Sequence, residues 1–486
     1  MSLTKELSIV PAASPCTRVL AIHAPYPGRL MFYAEPTSLL YALAPLASSL
    51  AAQGRLDELG LLDPGCSSEA FYGELEELLS IAPVRIVCVS ASTAAIEEAA
   101  RVVETVRTTL GQGVLVVLGG PHEDGCQEKA ATRIEGVDLS VSGRSGEFLR
   151  ELVEGFLAVE RRPQAWCEEV GWRMRPEGGP EVLATSPWWG RPASRMLRSS
   201  GDVPQAGLGW RPLAPRRARF EVFEAETALP VMVSRGCSYG RCSFCAEATL
   251  GRQELSWEAV EWLELAMGAA PGAAVYFQDS IFPGPGRFRS SLLGALRESG
   301  VEWGCQVYLP MLSRQNAEEL AAGGCSYVYT GLESGAPSIA SSLGKPGLGP
   351  ELALERFGWL ADLGLRVGIS LMFGTLDQRG RLSEGAGQVA QTVELARAIR
   401  CRGVDVVGFY CNIETVLPGT HLERGLRSAG LELDFYRQPR CELFEGMEDG
   451  SVGYNFMTLP GGEVSAGVAM RHAQAILSGI EAIQAM

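Results

Sequence analysis

Two runs of short apolar, β-branched segments, each followed by a helical pattern, constrain this chain more than any other feature. In the first run "TRVLAIHAP", "RIVCVSAS", "GVLVVLGGP" and "VDLSVSG" read as strands. "LLYALAPLASSLAAQG" and "TAAIEEAARVVETVRTTLG" read as helices that stop at Gly54 and Gly111. A strand joined to the next through a helix pairs with it in parallel, and parallel sheets are covered on both faces. Residues 17–158 are therefore expected to form a doubly wound α/β unit with ligands at the carboxyl ends of its strands. Those ends carry Ser90, Ser92 and Thr93, then Gly119, Gly120, Pro121 and His122, then Gly143. Small hydroxyls and glycines let a flat ligand approach the backbone, although they are also the ordinary residues of βα turns.

Residues 159–229 change character, being dense in Pro, Gly, Arg and Trp, and read as a crossover linker rather than a domain. Its Trp188, Trp189 and Trp210 are expected to pack between the domains. The alternation then resumes, with strands read at 230–235, 273–278, 301–309, 325–332, 366–373 and 404–411. Six βα units over residues 230–424 predict a partial (β/α)6 barrel whose active site lies at the C-terminal mouth of its strands. Residues 425–486 read as a capping region ending in the helix "AMRHAQAILSGIEAIQAM".

With 486 residues, 46% of them hydrophobic, the chain is long enough for two sizeable cores. A formal charge of -15 disfavours a dedicated nucleic-acid surface, because phosphate binding rests on Lys and Arg. The N-terminus lacks the apolar core of a signal peptide, and no apolar run reaches the roughly 18 residues of a membrane span. The reading is cytoplasmic, with neither membrane nor nucleic acid as partner. There most of the 13 cysteines serve as small core hydrophobes, Cys88 in "RIVCVS" among them.

One group of thiols needs a chemical reason. "SRGCSYGRCSFCAEA" places Cys237, Cys242 and Cys245 just after the first strand of the second run, at the predicted mouth. A disulfide would leave one thiol over, and a zinc site would need a fourth ligand. Three thiolates can instead hold a [4Fe-4S] cluster and leave its fourth iron open to a small ligand. Zinc with a remote fourth ligand and purely structural thiols remain alternatives. Gly236 and Gly240, which let the loop fold tightly, favour the cluster.

These residues resemble the cluster loop of the radical SAM enzymes, with Phe244 just before the last cysteine. The resemblance continues through "YFQDSIF", "YTGLESGAPSIASSLGKPG", "GISLMFGTLDQ" and "LPGTHL", in the family's order. The first half, from "LAIHAPYPG" through "SAST", "GGPH" and "VDLSVSGRSGEFL", is similar to the flavodoxin/Rossmann-like cobalamin-binding domain of one large subfamily. Two departures stand out. Four residues, not three, separate Cys237 from Cys242, and no Asp-x-His-x-x-Gly motif is present among only four histidines. The second departure implies base-off cobalamin with no histidine lower ligand, and His122 reads equally well as a turn residue.

The resemblance implies Cys237, Cys242 and Cys245 as cluster ligands, with S-adenosylmethionine on the open iron. It places Asp279, Glu333 and Ser334 near the amino group or ribose of that cofactor, and Gly368 and Gly374 beside its adenine. Asp279 as a helix cap and Gly374 as a plain turn are the competing structural readings. Tyr308, Cys411 and Glu414, at strand ends, are substrate-facing candidates, with core packing competing for Cys411. The implied activity is a cobalamin-dependent C-methyltransferase. It would abstract hydrogen from an unactivated carbon of a peptide or small natural product and deliver a methyl group from methylcobalamin. A cyclase, ring-contraction or rearrangement enzyme using both cofactors is the alternative. An external electron donor such as flavodoxin or ferredoxin is implied. Radical methylthio transfer is disfavoured because a further cysteine triplet and an RNA-binding domain are missing, and a non-catalytic zinc module would need a fourth ligand.

Overall fold

A computed structural model describes residues 17–25, 43, 46, 49–50, 53–55, 58–62, 69–126, 130–142, 149–150, 152–154, 222–223, 225, 228–231, 233–249, 253–254, 272–282, 287–377, 379, 383–414, 416–436, 475, 478–479, 482–483 and 485. Gly143, Trp188, Trp189 and Trp210 lie outside the described residues, as does most of the 159–229 segment. Contacts divide the chain into two compact units.

The first unit holds a five-stranded parallel sheet: β1 (Val19–His23), β2 (Leu59–Leu62), β3 (Ile86–Ser90), β4 (Leu115–Gly119) and β5 (Leu139–Ser140), in the order β2-β1-β3-β4-β5. That is the flavodoxin-like order, in which the topological switch, and with it the ligand crevice, falls between β1 and β3. β1 and β3 are buried along their whole length, the mark of a parallel strand covered on both faces. Helices α1 (Glu69–Ile81) and α2 (Ile96–Leu110) follow β2 and β3. Ile96, Ala99, Val102, Val103 and Val106 form the buried stripe of α2, and Gly111 ends it at φ +66°. Short helices α3 (Pro121–Gly125) and α4 (Ala130–Arg133) lead from β4 to β5. β2 was not foreseen, because four residues are too few to show a period; its Gly60 lets Thr17 pack close, a Cβ there meeting Thr17 Cγ2 at 2.9 Å.

The second unit is a six-stranded parallel sheet in the order β13-β12-β11-β10-β9-β6. Its strands are β6 (Ala228–Val231), β9 (Ala274–Phe277), β10 (Trp303–Val307), β11 (Cys325–Glu333), β12 (Arg366–Phe373) and β13 (Val406–Ile413). Strictly sequential order is what a (β/α)6 partial barrel requires, and each strand overlaps a segment read as a strand from sequence. A two-residue antiparallel pair, β7 (Ser234–Arg235) with β8 (Gln253–Glu254), was not foreseen. Helices α5 (Arg287–Ser299), α6 (Arg314–Ala322), α7 (Pro337–Ser342), α8 (Pro350–Asp362), α9 (Ala386–Cys401) and α10 (His421–Ser428) complete the unit. Phe277, Trp303, Phe357, Ile369, Phe373 and Ile399 form the heart of one apolar core shared by strands and helices. No described helix is long and apolar enough to cross a membrane.

Candidate active site

The cysteine loop leaves the C-terminal end of β6 and is anchored before it begins. Asp279, just beyond β9 and fully buried, accepts Val233 N at 3.1 Å and Ser234 Oγ at 2.5 Å. Burial pushes its carboxyl up to about 6, against the pull of those hydrogen bonds. Asp279 is thus occupied in pinning the chain that enters the loop. Gly236 and Gly240 then adopt φ +70° and +61°, left-handed conformations that cost a side-chain-bearing residue about 1–2 kcal/mol.

From there the loop is strapped to the segment after α7. Ser243 N donates to Leu343 O at 3.0 Å, and Tyr239 Oη donates to Gly344 O at 2.6 Å. Gly344, at φ +79°, packs so closely that a Cβ would collide with Arg241 O and come within 3.2 Å of Cys242 Cα. On the other side Leu422 N, at the start of α10, donates to Ser243 O at 2.8 Å. Tyr239 lies within the four-residue spacing between Cys237 and Cys242. Its ring stacks on Tyr308 with centroids 4.4 Å apart.

Cys237, Cys242 and Cys245 are all partly exposed, unlike buried Cys88, Cys126, Cys305, Cys325 and Cys411. Burial pushes the Cys242 thiol up to about 12 and raises Cys245 as well, with Lys345 opposing the shift at Cys242. Thiols so reluctant to ionise become thiolates when a metal supplies the compensating charge. Among the described residues no three Cys, His, Asp or Glu side chains converge as a single-ion site requires. A [4Fe-4S] cluster with one open iron asks for three thiolates, each on a different iron, which is the number this loop carries.

Beside the loop sits a buried ion pair. Lys345 Nζ lies 2.6 Å from Glu333 Oε1 and donates to Gly331 O at 3.0 Å. Glu333, last in β11, has φ +64° and is the one non-glycine with positive φ among the described residues. Such strain costs on the order of 1–3 kcal/mol and gathers at functional sites. A Cβ on Gly331 would collide with the Glu333 carboxylate and meet Lys345 Nζ at 2.9 Å, so the glycine makes room for the pair. Burial alone would lower the Lys345 pKa, yet Glu333 and the Cys242 and Cys245 sulfurs hold it above its usual value. Glu333 Oε2 is buried and finds no hydrogen-bond partner among the described residues.

The remaining sequence-predicted residues divide by surroundings. Ser334 Oγ is held within the protein, 3.1 Å from Thr392 Oγ1 and accepting Ala336 N at 3.1 Å. Beside Gly368 the space belongs to Tyr327, whose hydroxyl a Cβ would strike. Cys411 is 1% exposed within the apolar core, and burial alone lifts its thiol to about 12. Tyr308 touches the same core but also faces Tyr239 and Lys345, and burial followed by Tyr239 raises its phenol.

Gly374, at φ +66°, opens the turn after β12, and two buried carboxylates hold that turn. Glu384 Oε2 accepts Gly374 N at 2.8 Å, and Glu414 Oε2 accepts Leu376 N at 2.6 Å. Glu414 Oε1 is buried with no hydrogen-bond partner among the described residues. Burial first pushes both acids up to about 7, and Glu384 and Glu333 add to the shift at Glu414. Because folding raises these pKa values, the folded state binds protons more tightly. The stability this confers is complete below the ordinary glutamate range and is lost as pH rises toward about 7. The urea midpoint of the metal-free protein is expected to fall as pH rises from about 5 to about 8. Joint Glu384→Gln and Glu414→Gln replacement should flatten that slope; an unchanged slope refutes the assignment.

In the first unit the predicted residues gather at the ends of β3 and β4. Gly120 has φ +101°, and a Cβ there would lie 2.7 Å from Ser90 Oγ and 2.8 Å from Ala91 N. His122 is fully buried, its Nδ1 3.2 Å from Thr93 Oγ1. Ser92 Oγ is a buried hydroxyl with no hydrogen-bond partner among the described residues, which suits a polar ligand. His23 ends β1 directly across from Ser90, at the β1/β3 switch, and was not foreseen. Its only sequence signal was a histidine closing an apolar strand.

No family model matches the chain. It is 22% identical over 367 residues to an uncharacterized methyltransferase of Pyrococcus horikoshii, spanning 74% of this chain and 72% of that protein. TsrM is a radical S-adenosylmethionine methyltransferase from Kitasatospora setae. Its structure with tryptophan substrate and a SAM analogue gives a TM-score of 0.59 at 18% identity, over 86% of this chain and 77% of that one. TsrM with cobalamin and a [4Fe-4S] cluster bound gives 0.58. OxsB, a cobalamin-dependent S-adenosylmethionine radical enzyme with aqua-cobalamin and S-adenosylmethionine bound, gives 0.55 at 14% identity, over 87% of this chain and 64% of that one. The chain has the fold of these enzymes. The aligned share of 84–87% is larger than either unit alone, so the likeness draws on residues of both.

Proposed function

We propose that this protein is a cobalamin-dependent radical SAM methyltransferase. One observation carries the reading: a three-cysteine loop at the C-terminal mouth of a six-stranded parallel sheet, in one chain with a flavodoxin-ordered sheet. The cofactors supply radical generation at the cluster and methyl transfer from cobalt. The residues supply binding, orientation and exclusion of water. Cys237, Cys242 and Cys245 hold the cluster, and Asp279 together with the Tyr239 strap fixes their loop. Glu333 and the Gly374 turn border the S-adenosylmethionine site, with Tyr308 and Glu414 nearest the substrate. In the first unit the β1/β3 crevice, with His23, Ser90, Ser92, Thr93, Gly119 and Gly120, takes base-off cobalamin. Residues 230–424 form the partial barrel, and the substrate is a peptide or small natural product.

Anaerobic reconstitution with iron, sulfide and cobalamin tests the reading. The expected result is a brown protein with stoichiometric iron and cobalamin that cleaves S-adenosylmethionine under reduction. A colourless protein holding stoichiometric zinc overturns it. A rearrangement that uses the same two cofactors without methyl transfer is the alternative reading. Labelled methyl found in product selects methyl transfer; unlabelled, rearranged product selects the other.

A further inference from the structure

We infer that Lys345 and Glu333 form a charge pair that sets the reduction potential of the cluster, Lys345 raising it and Glu333 lowering it. The inference rests on the cluster reading and adds two residues to it. Lys345 is 5% exposed, so its charge is poorly screened by water. Its ammonium lies 5.9 Å from the ring centroid of Phe244, between Cys242 and Cys245, and 5.5 Å from that of Tyr308. The preceding residue, Gly344, packs against Cys242 Cα, so the cation is held next to the loop by backbone contact. Among the charges acting on the Cys242 sulfur, Lys345 comes first and favours the thiolate, while Cys245 and then Glu333 oppose it.

Three thiolates around an iron–sulfur core leave net negative charge, and one-electron reduction adds another. The electron comes from a low-potential one-electron carrier and goes to the cluster, with no bond made or broken in the protein. A buried cation favours the reduced form and a buried anion opposes it, in the way that local charge tunes such centres generally. Gly331 and the strained backbone at Glu333 serve to keep this pair folded against the loop.

The test is a potentiometric titration of the reconstituted cluster without S-adenosylmethionine, followed by paramagnetic resonance. Lys345→Gln is expected to lower the midpoint potential and Glu333→Gln to raise it. Each reduction equilibrium should move severalfold, a tenfold change being about 59 mV for one electron. Lys345→Arg should restore the wild-type value. Shifts of the same sign in both variants, or none, overturn the proposal, because mere loosening of the loop has no reason to act with opposite signs. If either single variant fails to fold, the Glu333→Gln/Lys345→Gln double variant decides. Because Lys345 acts more strongly than Glu333 on Cys242, the potential of the double variant should fall below that of the wild type, and by less than the Lys345→Gln shift where that single variant folds. A rise overturns the idea. If the wild-type protein takes up no cluster at all, the cluster reading itself fails and takes this inference with it, an outcome separate from an unshifted potential.

Discussion

Joint replacement of Cys237, Cys242 and Cys245 by alanine is expected to abolish iron loading, the visible spectrum of the cluster and all cleavage of S-adenosylmethionine. The expectation follows from where the other thiols are. Among the described residues Cys88, Cys126, Cys305, Cys325 and Cys411 are buried, and Cys401 is exposed at the end of α9, outside the loop. The folded frame should survive, because the loop is anchored by Asp279 and by main-chain bonds at Ser243 rather than by its thiols. Iron content, the absorption spectrum and far-ultraviolet circular dichroism of the variant check this together. Cys401→Ser is the matched control and should load as the wild type does. Full iron loading in the triple variant would falsify the ligand assignment outright.

The second large effect is expected at Gly344. Gly344→Ala must place a Cβ at φ +79°, costing about 1–2 kcal/mol, and must also drive it into Arg241 O and toward Cys242 Cα. The obstacle is main chain, which cannot swing aside, so about 1–3 kcal/mol of overpacking adds to the strain. Gly347 separates the two costs. It has φ +82° but nothing within 4 Å of its would-be Cβ. Gly347→Ala should therefore lower the melting temperature slightly and load iron normally. Gly344→Ala should lower it further and lose much of its cluster, since the strap and the loop can no longer meet. If the two variants load iron equally, the strap has no part in holding the loop.

The βα alternation was legible because buried parallel strands are near-continuous apolar runs, and six such runs mark the six strands of the second sheet. β2 and β8 escaped notice, and β7 was read as the end of the strand at 230–235, since two to four residues cannot display a period. The cysteines were legible because three in one short loop have no ordinary explanation. Lys345 was not, although its motif was in view: a lysine is normally exposed, and only the fold brings it to Glu333, twelve residues earlier. Glu384 lies in "RLSEGAG", which reads as solvated loop, yet it is 1% exposed. Gly368 shows the opposite case. Its lack of a side chain suggested room for a ligand, whereas the room is filled by Tyr327 from the neighbouring strand, a partner that no local pattern announces.

Ser243 joins the cysteine loop to residues around Leu343 and to Leu422, while Tyr239 reaches Gly344, 105 residues downstream. Contacts so distant along the chain close late, because loop-closure entropy must be met before they form. The three thiols therefore emerge from the ribosome well before the segments that shape their nest. Until the last βα unit docks, they are open to oxidation and to the wrong metal. On the proposed cluster reading, delivery is accordingly expected at the end of folding, with the thiols kept reduced until then.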